Sequence, residues 1–359
     1  MPKFHPLIVK EVRPETEECV SVAFELPAEL RQAYQFLPGQ YLTLKAEING
    51  EEVRRSYSIC TSPVEEELRV AVKKVPHGRF STYANEQLKA GDELEVMTPM
   101  GRFHTELDPS HEKEYVAFAA GSGITPIMSI MKSVLSQEPK SHFTLFYGNR
   151  GVDSIIFREQ IEGLKNEYIG RLRLFHILSR EKLGSPLLSG RITADKCEQF
   201  YDKLIDPSTV DEFFLCGPQP MIESIRETLL DRGVDRKKIH FELFNTGNSK
   251  AAKPQKEETI AEALPEIEAM VDIKLDGNHF EFPLSSRADT ILDGALKAGA
   301  DLPYACKGGV CSTCRAKLTE GEVKMDVNYA LEPEEVEAGF ILTCQAHPKS
   351  DKVAVDFDV

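Results

Sequence analysis

With 359 residues the chain is too long for one comfortable hydrophobic core, and two or three domains are expected. Its 41% hydrophobic and 28% charged residues are those of a soluble globular protein, and no apolar run approaches the roughly 20 residues that a spanning helix needs. A formal charge of −15 argues against a nucleic-acid partner, whose phosphates demand a basic face.

The opening residues, Met1-Pro2-Lys3-Phe4-His5-Pro6, carry no basic stretch followed by an apolar one, so no membrane association and a cytoplasmic location are expected. Up to about Leu107, short apolar stretches at 7–9, 21–24, 41–44, 68–72 and 93–96 alternate with turn residues such as Pro38-Gly39, Asn49-Gly50 and Gly91-Asp92. This spacing predicts an antiparallel barrel or sandwich. Arg55-Ser56-Tyr57-Ser58 closes one of its strands. A cation for pyrophosphate, an aromatic face for stacking and a hydroxyl for the reactive edge suit a flavin, although a solvated strand end would read the same way. Gly78-Arg79-Phe80-Ser81 precedes a helix predicted over 82–88, and such a turn can hold a phosphate or serve as an ordinary cap.

The texture changes at Tyr115. Strands are predicted at 115–120, 143–147, 172–178 and 212–216, with helices at 126–135, 154–168 and 220–232, which implies a parallel α/β sheet covered on both faces. Gly121-Ser122-Gly123-Ile124-Thr125-Pro126 joins the first strand to the first helix. Gly121 and Gly123 permit close backbone approach to a dinucleotide, Thr125 and the helix N-terminus can hold pyrophosphate, and Pro126 suits the first helical position. A tight structural turn is the alternative. Arg150 and the pair Ser179-Arg180 follow the next two strands, where they could bind the 2′-phosphate of NADPH or stand as solvated surface groups. Cys216-Gly217-Pro218-Gln219-Pro220-Met221 follows the last predicted parallel strand, at the carboxyl edge where open α/β sheets bind ligands. The Cys216 thiol reads as part of a nicotinamide pocket rather than a nucleophile, because no His-containing segment accompanies it.

Periodicity is lost over 245–265, which reads as a linker. The segment from Ile267 onward carries 9 Lys/Arg against 17 Asp/Glu, a net of −8, and is the denser acidic surface. Asp276-Gly277 marks a hairpin, and a helix should start at a cap on Asp289 or Thr290 and end at Ala298-Gly299. Four of the eight cysteines crowd into this segment as Cys306-x4-Cys311-x2-Cys314 followed by Cys344. That is the plant-type spacing for a [2Fe–2S] cluster, and Gly308 and Gly309 let backbone N–H groups approach its sulfides. A structural zinc site is the alternative, but such sites usually show two short cysteine pairs and only one is present here.

In this order the motifs resemble the ferredoxin–NADP⁺ reductase superfamily with a plant-type ferredoxin fused at the C-terminus. The resemblance implies an N-terminal antiparallel β-barrel for FAD at 1–109, a central α/β nicotinamide domain at 110–245, a linker at 246–266 and a β-grasp [2Fe–2S] domain at 267–359. It implies that Arg55, Tyr57, Ser58, Gly78 and Ser81 hold the flavin. Gly121, Gly123, Thr125, Pro126, Cys216, Gly217, Pro218 and Met221 would hold the nicotinamide cofactor. Phe244 would be the aromatic beside the flavin, and Ser58, Cys216 and Glu242 would shape the reacting pocket. More narrowly, 303–311 and Asn328-Tyr329-x-Leu331-Glu332-Pro333 resemble the reductase subunits of multicomponent phenylacetyl-CoA epoxidases. That implies electron flow from NADPH through FAD and the cluster to a separate diiron oxygenase, the phenylacetyl-CoA epoxidase. Reductases of other monooxygenases and of ring-hydroxylating dioxygenases share the electron-path motifs. A non-enzymatic [2Fe–2S] carrier is the alternative of a different class.

Overall fold

The computed structural model describes residues 3–181, 184–244 and 266–359, which form two compact units, Phe4–Phe244 and a C-terminal one. The linker expected at 245–265 lies outside the described residues. The first unit opens with six antiparallel strands: β1 (Phe4–Thr16), β2 (Cys19–Phe24), β3 (Tyr41–Ile48), β4 (Glu51–Ser58), β5 (Leu68–Lys73) and β6 (Glu93–Met97). Their order is β4-β3-β6-β1-β2-β5, and a bridge between Ile59 and Val70 brings the two edges together, so the sheet curls into a barrel. Leu7, Val22, Leu42, Leu44, Val70, Val72 and Val96 fill its interior. β2 is buried on both faces: Val22 points into the barrel, while Cys19, with Ala71 of β5, joins the core of the α/β half. Helix α1 (Arg79–Glu86) buries Phe80 and Ala84 in the barrel. It starts earlier than the sequence predicts, because Gly78 takes the extended N-cap conformation.

The α/β half runs β7 (Glu114–Ala120), α2 (Ile124–Gln137), β8 (His142–Asn149), α3 (Arg158–Glu167), β9 (Leu172–Leu178), α4 (Ala194–Lys203), β10 (Glu212–Gly217), α5 (Gln219–Asp231) and β11 (Ile239–Leu243). All pairs in the sheet β11-β10-β7-β8-β9 are parallel. Ile127, Met131 and Ile161 cover one face against Tyr115, Phe143 and Phe214, and Phe200 and Ile225 cover the other against Phe118, Phe146 and Phe213. Strand order reverses between β7 and β10, which opens a crevice at their carboxyl ends.

The α/β half departs from the sequence expectations at four places. Glu212–Gly217 is not the last parallel strand, because β11 adds an edge beside it, a short and half-buried strand with a weak apolar pattern. Helix α4 is additional to the predicted helices. α3 begins at Arg158 and not at 154, because Phe157 takes φ +60 and breaks the preceding 152–154 turn from the helix. Pro126 is the third residue of α2, still within the turn whose N–H groups have no intrahelical partner.

The barrel and α2 are fastened together. Ser129 donates to the Thr61 carbonyl at 2.6 Å, the hydroxyls of Ser62 and Ser133 meet at 2.8 Å, and Lys132 pairs with Glu65 at 2.8 Å.

The C-terminal unit has a mixed sheet of β12 (Glu268–Leu275), β13 (Asn278–Ser285), β14 (Arg315–Glu320), β16 (Phe340–Leu342) and β18 (Lys352–Asp356), ordered β13-β12-β18-β14-β16. A small ribbon pairs β15 (Val323–Met325) with β17 (Ala346–Pro348). Asp276 and Gly277, both at positive φ, turn the β12–β13 hairpin as the sequence implies. Thr290 accepts the Asp293 N–H and so caps helix α6 (Ile291–Lys297), whose Ile291, Leu292 and Ala295 pack on Val271, Phe282 and Leu284. A short helix α7 (Pro333–Glu337) follows β15.

Candidate functional site

Strand β4 ends with Arg55 exposed, Tyr57 half-buried and Ser58 buried. The Tyr57 ring meets Phe80 at 5.5 Å between centroids, which sets the Arg55–Ser58 strand against the Gly78 turn. Ser81 closes that turn: its hydroxyl donates to the Gly78 carbonyl at 3.3 Å and accepts the Val75 N–H at 3.2 Å. A strand end with a cation and an aromatic, beside a glycine turn that opens a helix, is the arrangement a flavin with a pyrophosphate tail requires.

At the crevice, the Gly121–Gly123 turn ends β7 and the Cys216–Met221 segment ends β10. They touch so closely that a Cβ on Gly123 would lie 2.1 Å from the Cys216 carbonyl oxygen, so only glycine lets the turn and strand meet. Thr125 is buried, and its hydroxyl donates to the Ser122 carbonyl at 3.0 Å, which spends its proton on the turn itself. Pro218 caps α5, and Met221 packs against Gly217, where an added Cβ would stand 2.7 Å from its methyl.

Glu242 on β11 sits in register opposite Cys216. Ser58, from the barrel, donates to its carboxylate at 3.1 Å. Ser58, Cys216 and Glu242 thus converge from three strands at the seam between barrel and sheet. Burial pushes the Glu242 carboxyl up to about 8, opposed only by the Ser58 hydrogen bond. Burial, helped by Glu242, raises the Cys216 thiol well above its ordinary value, so it stays protonated. Phe244, half-buried, packs against the core cluster that contains Cys216.

Arg150 and Arg180 come together across the ends of β8 and β9, where the Ser179 N–H donates to the Asn149 carbonyl at 2.9 Å and the Arg180 N–H to the Arg150 carbonyl at 2.8 Å. Arg150, Ser179 and Arg180 are all exposed. Glu181 lies beside them, yet its carboxylate accepts the Val152 N–H at 2.8 Å and caps the 152–154 turn.

Sequence reasoning misses Lys73, at the end of β5. Its ammonium lies beside the glycine turn, 3.6 Å from where a Cβ on Gly121 would stand. A cation five residues before Gly78 is the available signal.

In the C-terminal unit the four cysteines fall into two pairs, Cys306 with Cys311 and Cys314 with Cys344. The Cys311 thiol and the backbone N–H groups of Gly308, Val310 and Cys311 pull Cys306 down to about 5. The Cys314 thiol likewise lowers Cys344. Thr313, fully buried, donates its hydroxyl to the Cys311 sulfur at 3.1 Å. Lys307 and Ser312 hold left-handed φ of +50°, strain that a loop wrapped around a rigid group can sustain. Among the described residues no three His, Cys, Asp or Glu side chains converge on one point as a single metal ion requires. Two thiol pairs ringed by N–H and O–H donors fit a two-iron cluster, which these four cysteines would hold.

Known proteins share this layout. A family model described as "Oxidoreductase FAD-binding domain" matches residues 6–105, "Oxidoreductase NAD-binding domain" matches 118–227, and "2Fe-2S iron-sulfur cluster binding domain" matches 273–349. The chain is 45% identical to a subunit of the 1,2-phenylacetyl-CoA epoxidase of Escherichia coli (strain K12), over 100% of this chain and 99% of that one. It is 33% identical to the "3-ketosteroid-9-alpha-monooxygenase, ferredoxin reductase component" of Rhodococcus rhodochrous, over 98% and 96%. Its fold matches that of phthalate dioxygenase reductase with a TM-score of 0.59 at 22% identity, covering 99% of this chain and 98% of that one. With the flavin strand, the nicotinamide crevice and the paired thiols on one chain, the protein belongs to the family of FAD- and [2Fe–2S]-dependent reductase components of multicomponent oxygenases.

Proposed function

We propose that this reductase draws electrons from NADPH and delivers them to a separate diiron oxygenase that epoxidises phenylacetyl-CoA. The observation that carries the partner is the 45% identity along the whole chain to an epoxidase subunit, against 33% for a ketosteroid monooxygenase reductase. The backbone hydrogen bond that sets Arg180 beside Arg150 supports NADPH, since arginines and a serine on neighbouring strand ends suit a 2′-phosphate. We assign the flavin half to 1–109, the nicotinamide half to 110–245, the linker to 246–266 and the ferredoxin domain to 267–359.

FAD, when bound, converts the two-electron oxidation of a nicotinamide into single electrons that the cluster can carry. The protein's own residues orient and shield. Arg55 and the Gly78–Ser81 turn would hold the flavin's phosphates, and Tyr57 would pack against it. Ser58, Cys216 and Glu242 wall the pocket where nicotinamide and flavin meet, and a neutral Glu242 spares that pocket an unpaired charge. No helix among the described residues is long and apolar enough to cross a membrane. The acidic C-terminal segment, with 9 Lys/Arg against 17 Asp/Glu, calls for a basic patch on the oxygenase.

Reconstitution tests the assignment. Purified reductase is mixed with candidate oxygenases and scored for NADPH- and phenylacetyl-CoA-dependent epoxide formation. Coupling to the epoxidase, slowed by added salt, is the expected result. Productive coupling only to a ketosteroid monooxygenase or to a ring-hydroxylating dioxygenase would replace the partner.

A further inference from the structure

Tyr147 of β8 is fully buried, and its hydroxyl donates to the carbonyl of Gly121 at 3.0 Å. That carbonyl also accepts the N–H of Ile124, so both of its lone pairs are used. The next carbonyl, that of Ser122, is held by the Thr125 hydroxyl at 3.0 Å. In a planar trans peptide the N–H points opposite to the C=O. Holding these two successive carbonyls therefore aims the N–H groups of Ser122 and Gly123 the opposite way. Gly121 is left-handed at φ +54, and Gly123 is right-handed at φ −62. A left-handed residue followed by right-handed ones makes a concave nest of N–H groups that suits an anion. The Lys73 ammonium stands beside it, and α2 begins at the same place.

We propose that Tyr147 is a positioning residue for the nicotinamide nucleotide: its hydroxyl sets the Gly121–Ser122 peptide so that the turn presents its N–H groups to a phosphate of the cofactor. This rests on the reading of the Gly121–Pro126 turn as part of the nucleotide site. Tyr147, fully buried, acts through that peptide. Without the hydroxyl, the Gly121 carbonyl loses an anchor in the core, and the peptide is free to rotate its N–H away from the phosphate.

Tyr147→Phe removes the hydroxyl and keeps the buried ring. The full-length protein is assayed with NADPH and ferricyanide, and NADP⁺ affinity is measured by calorimetry. Hydrogen exchange over residues 121–125 is followed with and without NADP⁺. The expected variant keeps wild-type flavin content, iron content and kcat, while KM for NADPH and Kd for NADP⁺ rise roughly 3- to 10-fold, the worth of one hydrogen bond. NADP⁺ should protect 121–125 in the wild type and protect them less in the variant. An unchanged KM with intact wild-type protection overturns the role of Tyr147 alone. A parallel fall in kcat, flavin content and thermal stability makes the hydroxyl a general structural bond and likewise overturns it. Absence of protection in the wild type rejects the nucleotide reading of the turn, and the proposal with it.

Discussion

On the proposed function, three side chains should carry distinct, separable parts of the chemistry. Arg180 is exposed and held beside Arg150 by the ends of β8 and β9. Arg180→Ala should lower kcat/KM for NADPH roughly 10- to 100-fold, the worth of a charge-assisted hydrogen bond, while NADH changes little. Steady-state kinetics with both nucleotides decide it, and equal losses with the two would remove Arg180 from the 2′-phosphate site. Glu242 keeps its proton in the folded chain up to about pH 8, whereas the unfolded carboxyl releases it near 4.5. The folded state therefore holds the extra proton across that window, and stability falls as pH rises through it. Glu242→Gln removes the penalty, so its advantage over wild type should grow from pH 5 to pH 8 and then level off. With allowance for partial solvent screening, the gain is on the order of 1 kcal/mol, or about 2–4 °C in Tm. Thermal melts at pH 5 and 8 measure it. Thr313 donates to the Cys311 sulfur, and such a bond favours the more negative, reduced cluster. Thr313→Val should lower the midpoint potential by roughly 20–60 mV, read by a spectroscopic redox titration.

At the scale of elements, Ser58, Cys216 and Glu242 meet because the end of a barrel strand abuts two neighbouring strands of the α/β sheet. Beside them Gly123 meets the Cys216 carbonyl, a backbone atom that cannot swing aside. Gly123→Ala must part α2 from the end of β10, at a cost of about 1–3 kcal/mol for overpacking. NADPH use should suffer more than flavin content, because the flavin strand lies on the barrel. Gly217→Ala is the informative contrast, since its new methyl meets chiefly the flexible tip of Met221. Chemical denaturation and NADPH titration of the two variants should rank Gly123→Ala as the worse. The serine contacts between α2 and the 61–62 segment fix these distances, because α2 cannot move without breaking Ser129–Thr61 and Ser133–Ser62.

At the scale of the molecule, the flavin and nicotinamide halves form one compact unit with interleaved cores, and the cluster domain has a core of its own. Electron transfer should therefore divide where the structure divides. A chain ending near Gly247 should fold, bind FAD and reduce ferricyanide with NADPH at about the wild-type rate. It should lose most transfer to cytochrome c and to the oxygenase. Full-rate service of the oxygenase by the truncated chain would mean that the cluster is not on the path. The interleaving also shows why β2 lacks alternation, since one face serves each core.

Chemistry that depends on residues close together in the chain is legible in the sequence by itself. Cys306, Cys311 and Cys314 lie within a single loop, Gly121–Pro126 is one turn, and Asp276-Gly277 is a hairpin signal, so spacing alone carries each of them. The barrel strands are legible for the same reason, because their turns are marked locally. Other features need the folded chain. The edge strand β11 is too short and half-buried to declare itself, so the sequence puts Cys216 on the last strand when it lies one strand in from the edge. Ser58 and Glu242 are 184 residues apart in sequence, and only a resemblance implies their convergence until the fold brings them within a hydrogen bond. Lys73 and Tyr147 sit in other strands than the glycine turn they lie against, and no spacing links them to it. Local chemistry writes turns and ligand loops into the sequence, but which distant strands lie side by side is decided by packing, and here that packing brings Ser58, Cys216 and Glu242 together.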